Sequence, residues 1–227
     1  TEEDILSCKG AKDIMVDVED HPVNNGRYVT EQTAMGSHSY ITYDQKELRI
    51  TGIALELPGE PENWKLIHHF QWVIDPGFRG TEVLHLWPAY RMTEGWTSCG
   101  SPSGQVLYTH DGESYAAPFH SIGHETYTQN TIFWGQQTST DVFAEFSLPN
   151  RGENHRGYVS YTIAEVQDGW SIDAWINYTH QTPWPQYPVI TAKEKQQTMG
   201  VGDTRTFKTV QDALQFFPGS DEPIGHD

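Results

Sequence analysis

The sequence predicts an all-β fold: a single-domain antiparallel β-sandwich of the jelly-roll or concanavalin-like kind, with one short C-terminal helix. Three observations carry that expectation. Short runs rich in Val, Ile, Thr, Tyr and Phe recur about every 8–12 residues, with Gly, Pro, Asn or Asp between them. The run WKLIHHFQWVID, Trp64 to Asp75, alternates with a period of two. Aromatic side chains are abundant, with 8 Trp and 11 Tyr against 4 Met, which suits strands better than a helix bundle. A chain of 227 residues fits two large curved sheets better than an immunoglobulin module of about 100 residues. A closed, lipocalin-like β-barrel is the alternative architecture.

Residues 1–25 read as an irregular acidic segment that ends in the turn Asn24-Asn25-Gly26. One β-sandwich domain is expected over 26–218. GRYVTEQT and SHSYITYD flank Met35-Gly36, and KELRITGIALELP stops at Pro58-Gly59. The Trp64 to Asp75 strand then sets Trp64, Leu66, His68, Phe70, Trp72 and Ile74 on a core-directed face. Lys65, Ile67, His69, Gln71, Val73 and Asp75 share the other, mixed face, which suits a binding groove.

Asp75-Pro76-Gly77 ends that strand in a turn, and TEVLHLWPAY follows as the next one. The Gly/Ser/Pro-rich piece Thr93 to Gly104 reads as a long loop, and Asp111-Gly112 as a hairpin turn. DVFAEFSL alternates again. RGYVSYTIAEV and GWSIDAWINYTH read as a second hairpin through Gln167-Asp168-Gly169. Phe207, Val210, Leu214 and Phe217 are spaced like one face of a helix over 207–217, stopped by Pro218-Gly219. Residues 219–227 should fray.

Charge narrows the partners. There are 14 Lys+Arg against 31 Asp+Glu, a formal net charge of −17. Such a field disfavours nucleic acid and anionic membrane surfaces. The expected partner is a carbohydrate or another small-molecule ligand. No run of 18 apolar residues is present to span a bilayer. Composition leans toward an exported, extracellular protein. On that reading Cys8 and Cys99 form a disulfide, or else they are two buried thiols. Asn177-Tyr178-Thr179 is a glycosylation sequon.

The candidate chemistry centres on histidine. His69, in line with Lys65 and Gln71, is the candidate base, since a near-neutral imidazole can take or give a proton. His68, flanked by aromatics, reads as a hydrogen-bonded core residue or as a metal ligand. His120 and His124 could add to His68 in a divalent copper or zinc site, although Pro118 and Gly123 argue against the helix that such spacing usually needs. Glu145 and Glu165 are strand acids for a two-carboxylate hydrolase. Trp175, with Asp173, offers a flat face for stacking on sugar rings. No Gly-rich phosphate loop, G-x-S-x-G elbow or Cys-x-x-Cys pair is present.

Three partial resemblances bear on the chemistry. Glu47-Leu48-Arg49 and His69-Phe70-Gln71 resemble the R-x-E-L-R and Q-x-H strands of jelly-roll alginate lyases. Here Gln45 replaces the leading Arg, the His/Gln order is reversed, and no Y-x-K-x-G strand follows. DVFAEF resembles the E-x-D-x-x-E strand of laminarinase-type glycosidases, without its first acid. The run LIHHF resembles the first copper strand of type II copper monooxygenases, without their second domain.

The first resemblance implies a polysaccharide lyase, and the last a copper or zinc protein. The lyase reading gives catalytic roles to His69, Gln71 and either Tyr161 or Tyr158. Arg49, Lys65, Trp175 and Asp173 would then hold substrate. A non-catalytic, lectin-like module would use the same aromatics.

Overall fold

A computed structural model describes residues 14–23, 26–33, 36–43, 46–58, 63–90, 97–131, 135–164, 172–184, 190–199, 204 and 206–216. Two antiparallel sheets pack face to face. The first is built from β1 (Ile14–His21), β4 (Leu48–Leu57), β5 (Asn63–Trp72), β7 (Thr97–His110), β8 (Glu113–Ala117) and β11 (Glu153–Ala164). Its order is β1-β4-β5-β11-β7-β8. The second is built from β6 (Thr81–Tyr90), β9 (Phe119–Thr131), β10 (Gly135–Ser147), β12 (Ile172–Gln181) and β13 (Phe207–Phe216). Its order is β13-β12-β6-β10-β9. Among the described residues β2 (Gly26–Thr33) and β3 (Gly36–Tyr43) pair only with each other, and α1 spans Ala192–Met199. The molecule is therefore an all-β sandwich with open sheet edges, and the closed barrel is excluded.

The central strand behaves as its alternation requires. Along β5 every second side chain, from Trp64 to Trp72, is buried, and those between are half-buried. The inward residues meet the second sheet: Phe70 stacks on Phe146 with centroids 5.2 Å apart, and Trp64 packs on Phe216 at 4.9 Å. One continuous apolar core joins Leu66, Phe70 and Val159 of the first sheet to Leu84, Ala144 and Ile176 of the second. It also encloses polar groups. Trp72 Nε1 donates to Tyr178 Oη at 2.9 Å, and His180 Nδ1 donates to Glu82 Oε1 at 2.7 Å.

The Asp111-Gly112 hairpin forms as expected. Both residues have positive φ (50° and 81°), the geometry of a two-residue turn that matches strand twist. Pro118 then interrupts the ladder, and the chain crosses from β8 in the first sheet to β9 in the second.

Five sequence expectations are corrected. Residues 14–21, read as irregular, form β1 and pair with β4 from end to end. The loop expected from Thr93 to Gly104 is strand from Thr97 onward. The Gln167-Asp168-Gly169 connection lies outside the described residues, but it joins no hairpin. β11 pairs with β5 and β7, while β12 pairs with β6 and β13 in the other sheet.

The helix expected over 207–217 is strand β13, zipped to β12 over ten residue pairs. Its helical spacing arises because two faces are apolar. Val210, Leu214 and Phe216 face the core, while Phe207 packs with Ala192 of α1, Val83 and Phe143 on the outer side. The helix found among the described residues, α1, instead lies over the outer face of the second sheet. Finally, Asn177 of the sequon is buried within β12, so the folded sheet holds its side chain away from solvent rather than displaying a glycan. Cys8 and the tail 219–227 lie outside the described residues, as does the side chain of Cys99. Among the described residues no helix is long and apolar enough to cross a membrane.

Candidate functional site

The outer face of the first sheet gathers most of the polar residues singled out above. Cross-strand register sets the arrangement. Thr51 of β4, His69 of β5, Tyr158 of β11 and Gln105 of β7 form one row. Arg49, Gln71 and Arg156 form the next row. Directly opposed residues on one sheet face have Cβ atoms about 4.5–5.5 Å apart, so His69 and Tyr158 are side by side. Arg156 is their diagonal neighbour. Tyr158 is exposed, and His69, Gln71 and Arg156 are half-buried. Further along the same face Ile53, Leu55 and Ser160 are buried, so its open part is the Arg49–Gln71–Tyr158 end.

The His69 imidazole is held below the ordinary histidine pKa, first by burial and then by the positive charge of Arg156. It is therefore neutral near pH 7, with a lone pair free to accept a proton. Among the described residues it has no hydrogen-bond partner, and neither does the Tyr158 hydroxyl.

Cation supply follows from the same register. The outward positions of β4, of β5 and of β11 from Arg156 onward carry Arg49, Lys65 and Arg156 and no carboxylate. In a chain of net charge −17 this is a local inversion. The three cations are not equivalent. Arg49 already grips Asp20 with a two-pronged contact, Nε to Oδ1 at 2.7 Å and Nη2 to Oδ2 at 3.0 Å. That contact holds the Asp20 carboxyl below its usual range. Among the described residues Arg156 donates only to neutral acceptors, Asn154 O at 2.8 Å, Ser114 Oγ at 2.9 Å and Thr109 Oγ1 at 3.3 Å, and no carboxylate there pairs with it. Lys65 shares the face but lies four residues from His69, roughly 13 Å along the strand.

A β-bulge fixes the corner of this patch. The β11 ladder to β7 shifts between Glu153 and Arg156, and Asn154 takes a left-handed backbone (φ 53°) that asparagine tolerates. Gln71 Nε2 donates to Asn154 Oδ1 at 2.9 Å, and the Asn154 side chain is exposed. Asp75 anchors the bulge, accepting from the backbone amides of Asn154 and His155 and from His155 Nδ1 at 2.6 Å. Burial opposes the charge on Asp75, yet the bonds from His155 and from both amides hold its carboxyl below the usual range.

Other expected site residues fall elsewhere. Tyr161 is one residue out of phase with Tyr158, faces the core and is 2 % exposed, so it cannot serve this patch. Burial raises its hydroxyl pKa well above normal. Trp175 and Asp173 lie on the outer face of the second sheet, with both sheets between them and His69. Asp173 is buried and accepts from Gln215 Nε2 at 2.6 Å. Trp175 stacks on Trp87 with centroids 6.1 Å apart and planes 11° apart.

Glu145 is on that second face as well, and Glu165 lies outside the described residues. The metal set does not converge. His68 is sealed in the core, His120 bonds Ser147 Oγ at 2.8 Å, and His124 Nε2 donates to Gly100 O at 3.0 Å. On a strand, residues four apart are roughly 13 Å apart, too far for one ion.

Sequence reasoning missed Arg156 and Asn154. The signal for Arg156 was present, since it stands two residues before Tyr158 and must share its face. No protein-family model matches this chain, and no curated protein matches it.

Proposed function

We propose that this is an exported, carbohydrate-active β-sandwich protein whose site is the His69–Tyr158–Arg156 patch, and that it acts as a lyase on an acidic polysaccharide. The supporting observation is the pairing of an uncharged imidazole and an exposed tyrosine in direct register, beside a guanidinium with no carboxylate partner among the described residues. The sugar carboxylate is held by Arg156, with Gln71 and Asn154 as polar neighbours and Arg49 at the rim. Neutralising that carboxylate acidifies the adjacent C–H bond.

His69 accepts the proton from this carbon, and its electron pair forms a carbon–carbon double bond as the neighbouring C–O bond breaks. Tyr158 then protonates the departing oxygen, so the products are an unsaturated sugar end and a free hydroxyl. Incubation of the wild-type chain with a panel of polyuronates should give the ultraviolet absorbance of the unsaturated ends. His69→Ala and Tyr158→Phe should abolish it while leaving the chain folded. Cleavage at the wild-type rate by His69→Ala would end this mechanism.

A second reading rests on a different observation. The stacked, near-parallel Trp87–Trp175 pair on the opposite face offers an aromatic surface of the kind sugar rings stack on. On that reading the protein is a non-catalytic glycan binder. A glycan array would show binding lost in Trp175→Ala, with no product released.

A further inference from the structure

The geometry points to a divalent transition-metal site, suited to Zn²⁺ or Mn²⁺, formed by Glu19, His21 and Asp212 where the edge strands of the two sheets meet. Glu19 and His21 stand two apart on β1 and so share one side of that strand, the side facing away from Val16 and Val18. Asp212 comes from β13 in the other sheet, in the inward series with Val210 and Leu214. One ligand atom from each of the three residues lies within 4.8 Å of the others. Three ligands at about 2.1 Å from one tetrahedral ion sit roughly 3.4 Å apart, so small side-chain rotations complete the site. His21 Nε2 and Asp212 Oδ2 are already 3.2 Å apart.

Three features make this more than a chance grouping. The carboxylate is preset, because Asp212 Oδ1 accepts from the backbone amide of Ala213 at 2.7 Å, leaving Oδ2 to face the imidazole. The His21 and Asp212 side chains are nearly buried (12 % and 8 % exposed) while Glu19 is exposed, which gives a dry base with one open side. His68 is fully buried, and among the described residues both of its ring nitrogens lack a hydrogen-bond partner. His68 projects into the same interior, near enough to feel the Asp212 charge.

One imidazole with two carboxylates is a donor set for Zn²⁺, Mn²⁺ or Fe²⁺ rather than for thiolate-seeking ions. Two formal negative charges in a protein of net charge −17 add a general attraction for cations. An ion here would clip β1 to β13, joining the two sheets along their open edge.

The test is calorimetric titration of the EDTA-stripped full chain with ZnCl₂ and, separately, MnCl₂, followed by thermal melting. One equivalent of at least one ion should bind and raise Tm. The double variant His21→Gln/Asp212→Asn should lose at least ~100-fold in affinity, and Glu19→Gln, altered only at an exposed position, ~10-fold. Wild-type affinity no higher than that of the double variant would overturn the proposal, whether neither binds or both bind through other histidines. Should the double variant fail to fold, Glu19→Gln decides, and an unchanged affinity there overturns the site.

Discussion

His68 makes the fold acid-sensitive in a specific and separable way. Burial on β5 lowers its pKa from 6.5 to about 4. Between these values the unfolded chain takes up a proton at this residue and the folded chain does not. Stability therefore falls as pH drops from about 6.5 to about 4, and the contribution is present in full above the unfolded value. A gap of this size corresponds to roughly 3 kcal/mol, a large share of a typical domain's total of about 5–15 kcal/mol.

His68→Leu should remove that dependence, because an apolar side chain in place of two unpartnered ring nitrogens carries no protonation cost. Urea melts in chelator at several values between about pH 7 and pH 4 measure it. The wild type should lose roughly 3 kcal/mol more than the variant across the window, and the variant should equal or exceed it in stability at the acid end. Parallel curves for the two proteins would refute the reasoning. They would mean that His68 is either hydrated or already charged in the native state.

Other consequences can be checked together. Burial raises the Glu82 pKa against the opposing pull of His180, and Glu82→Ala, which leaves the His180 ring without this partner in the core, should cost about 1–3 kcal/mol in urea unfolding. The two tyrosines of β11 should behave oppositely. Tyr158→Phe should leave stability within about 0.5 kcal/mol and cost turnover, whereas Tyr161→Phe, which removes a buried hydroxyl without a partner, should leave turnover intact. Gly157→Ala should destabilise by about 1–3 kcal/mol, because its Cβ would lie 2.6 Å from Gln105 O and 2.8 Å from the Phe70 ring.

How much was legible depended on whether polarity and burial coincided. β5 was readable because its inward series is almost wholly apolar and each residue between is polar or half-exposed. β1 was not, because its pattern is inverted. Val18 is 55 % exposed, while His21 and its neighbours turn toward the sandwich edge, so the strand looks like an acidic tail. β13 hid behind Lys208 and Asp212, polar residues in its inward series, while Phe207 on the other face supplied an apolar residue out of phase.

The site was half visible for a related reason. Alternation tells which residues share a face of one strand, but not which sheet the strand joins. Reading Gln167-Asp168-Gly169 as a hairpin put β12 beside β11 and thereby Trp175 beside His69. The true pairing of β12 with β6 carries Trp175 and Asp173 to the far side of the molecule. His69, Gln71, Arg49 and Tyr158 did converge, because their register depends only on β4, β5 and β11, which are adjacent in the first sheet.

The most direct measurement compares binding of a defined oligouronate to the wild-type chain with binding to Arg156→Ala and to Trp175→Ala, by calorimetry at low salt. If the outer face of the first sheet is the site, Arg156→Ala weakens binding at least ~10-fold, the loss of one charged contact, and Trp175→Ala leaves it unchanged. The reverse pattern, with binding lost in Trp175→Ala and kept in Arg156→Ala, would contradict it.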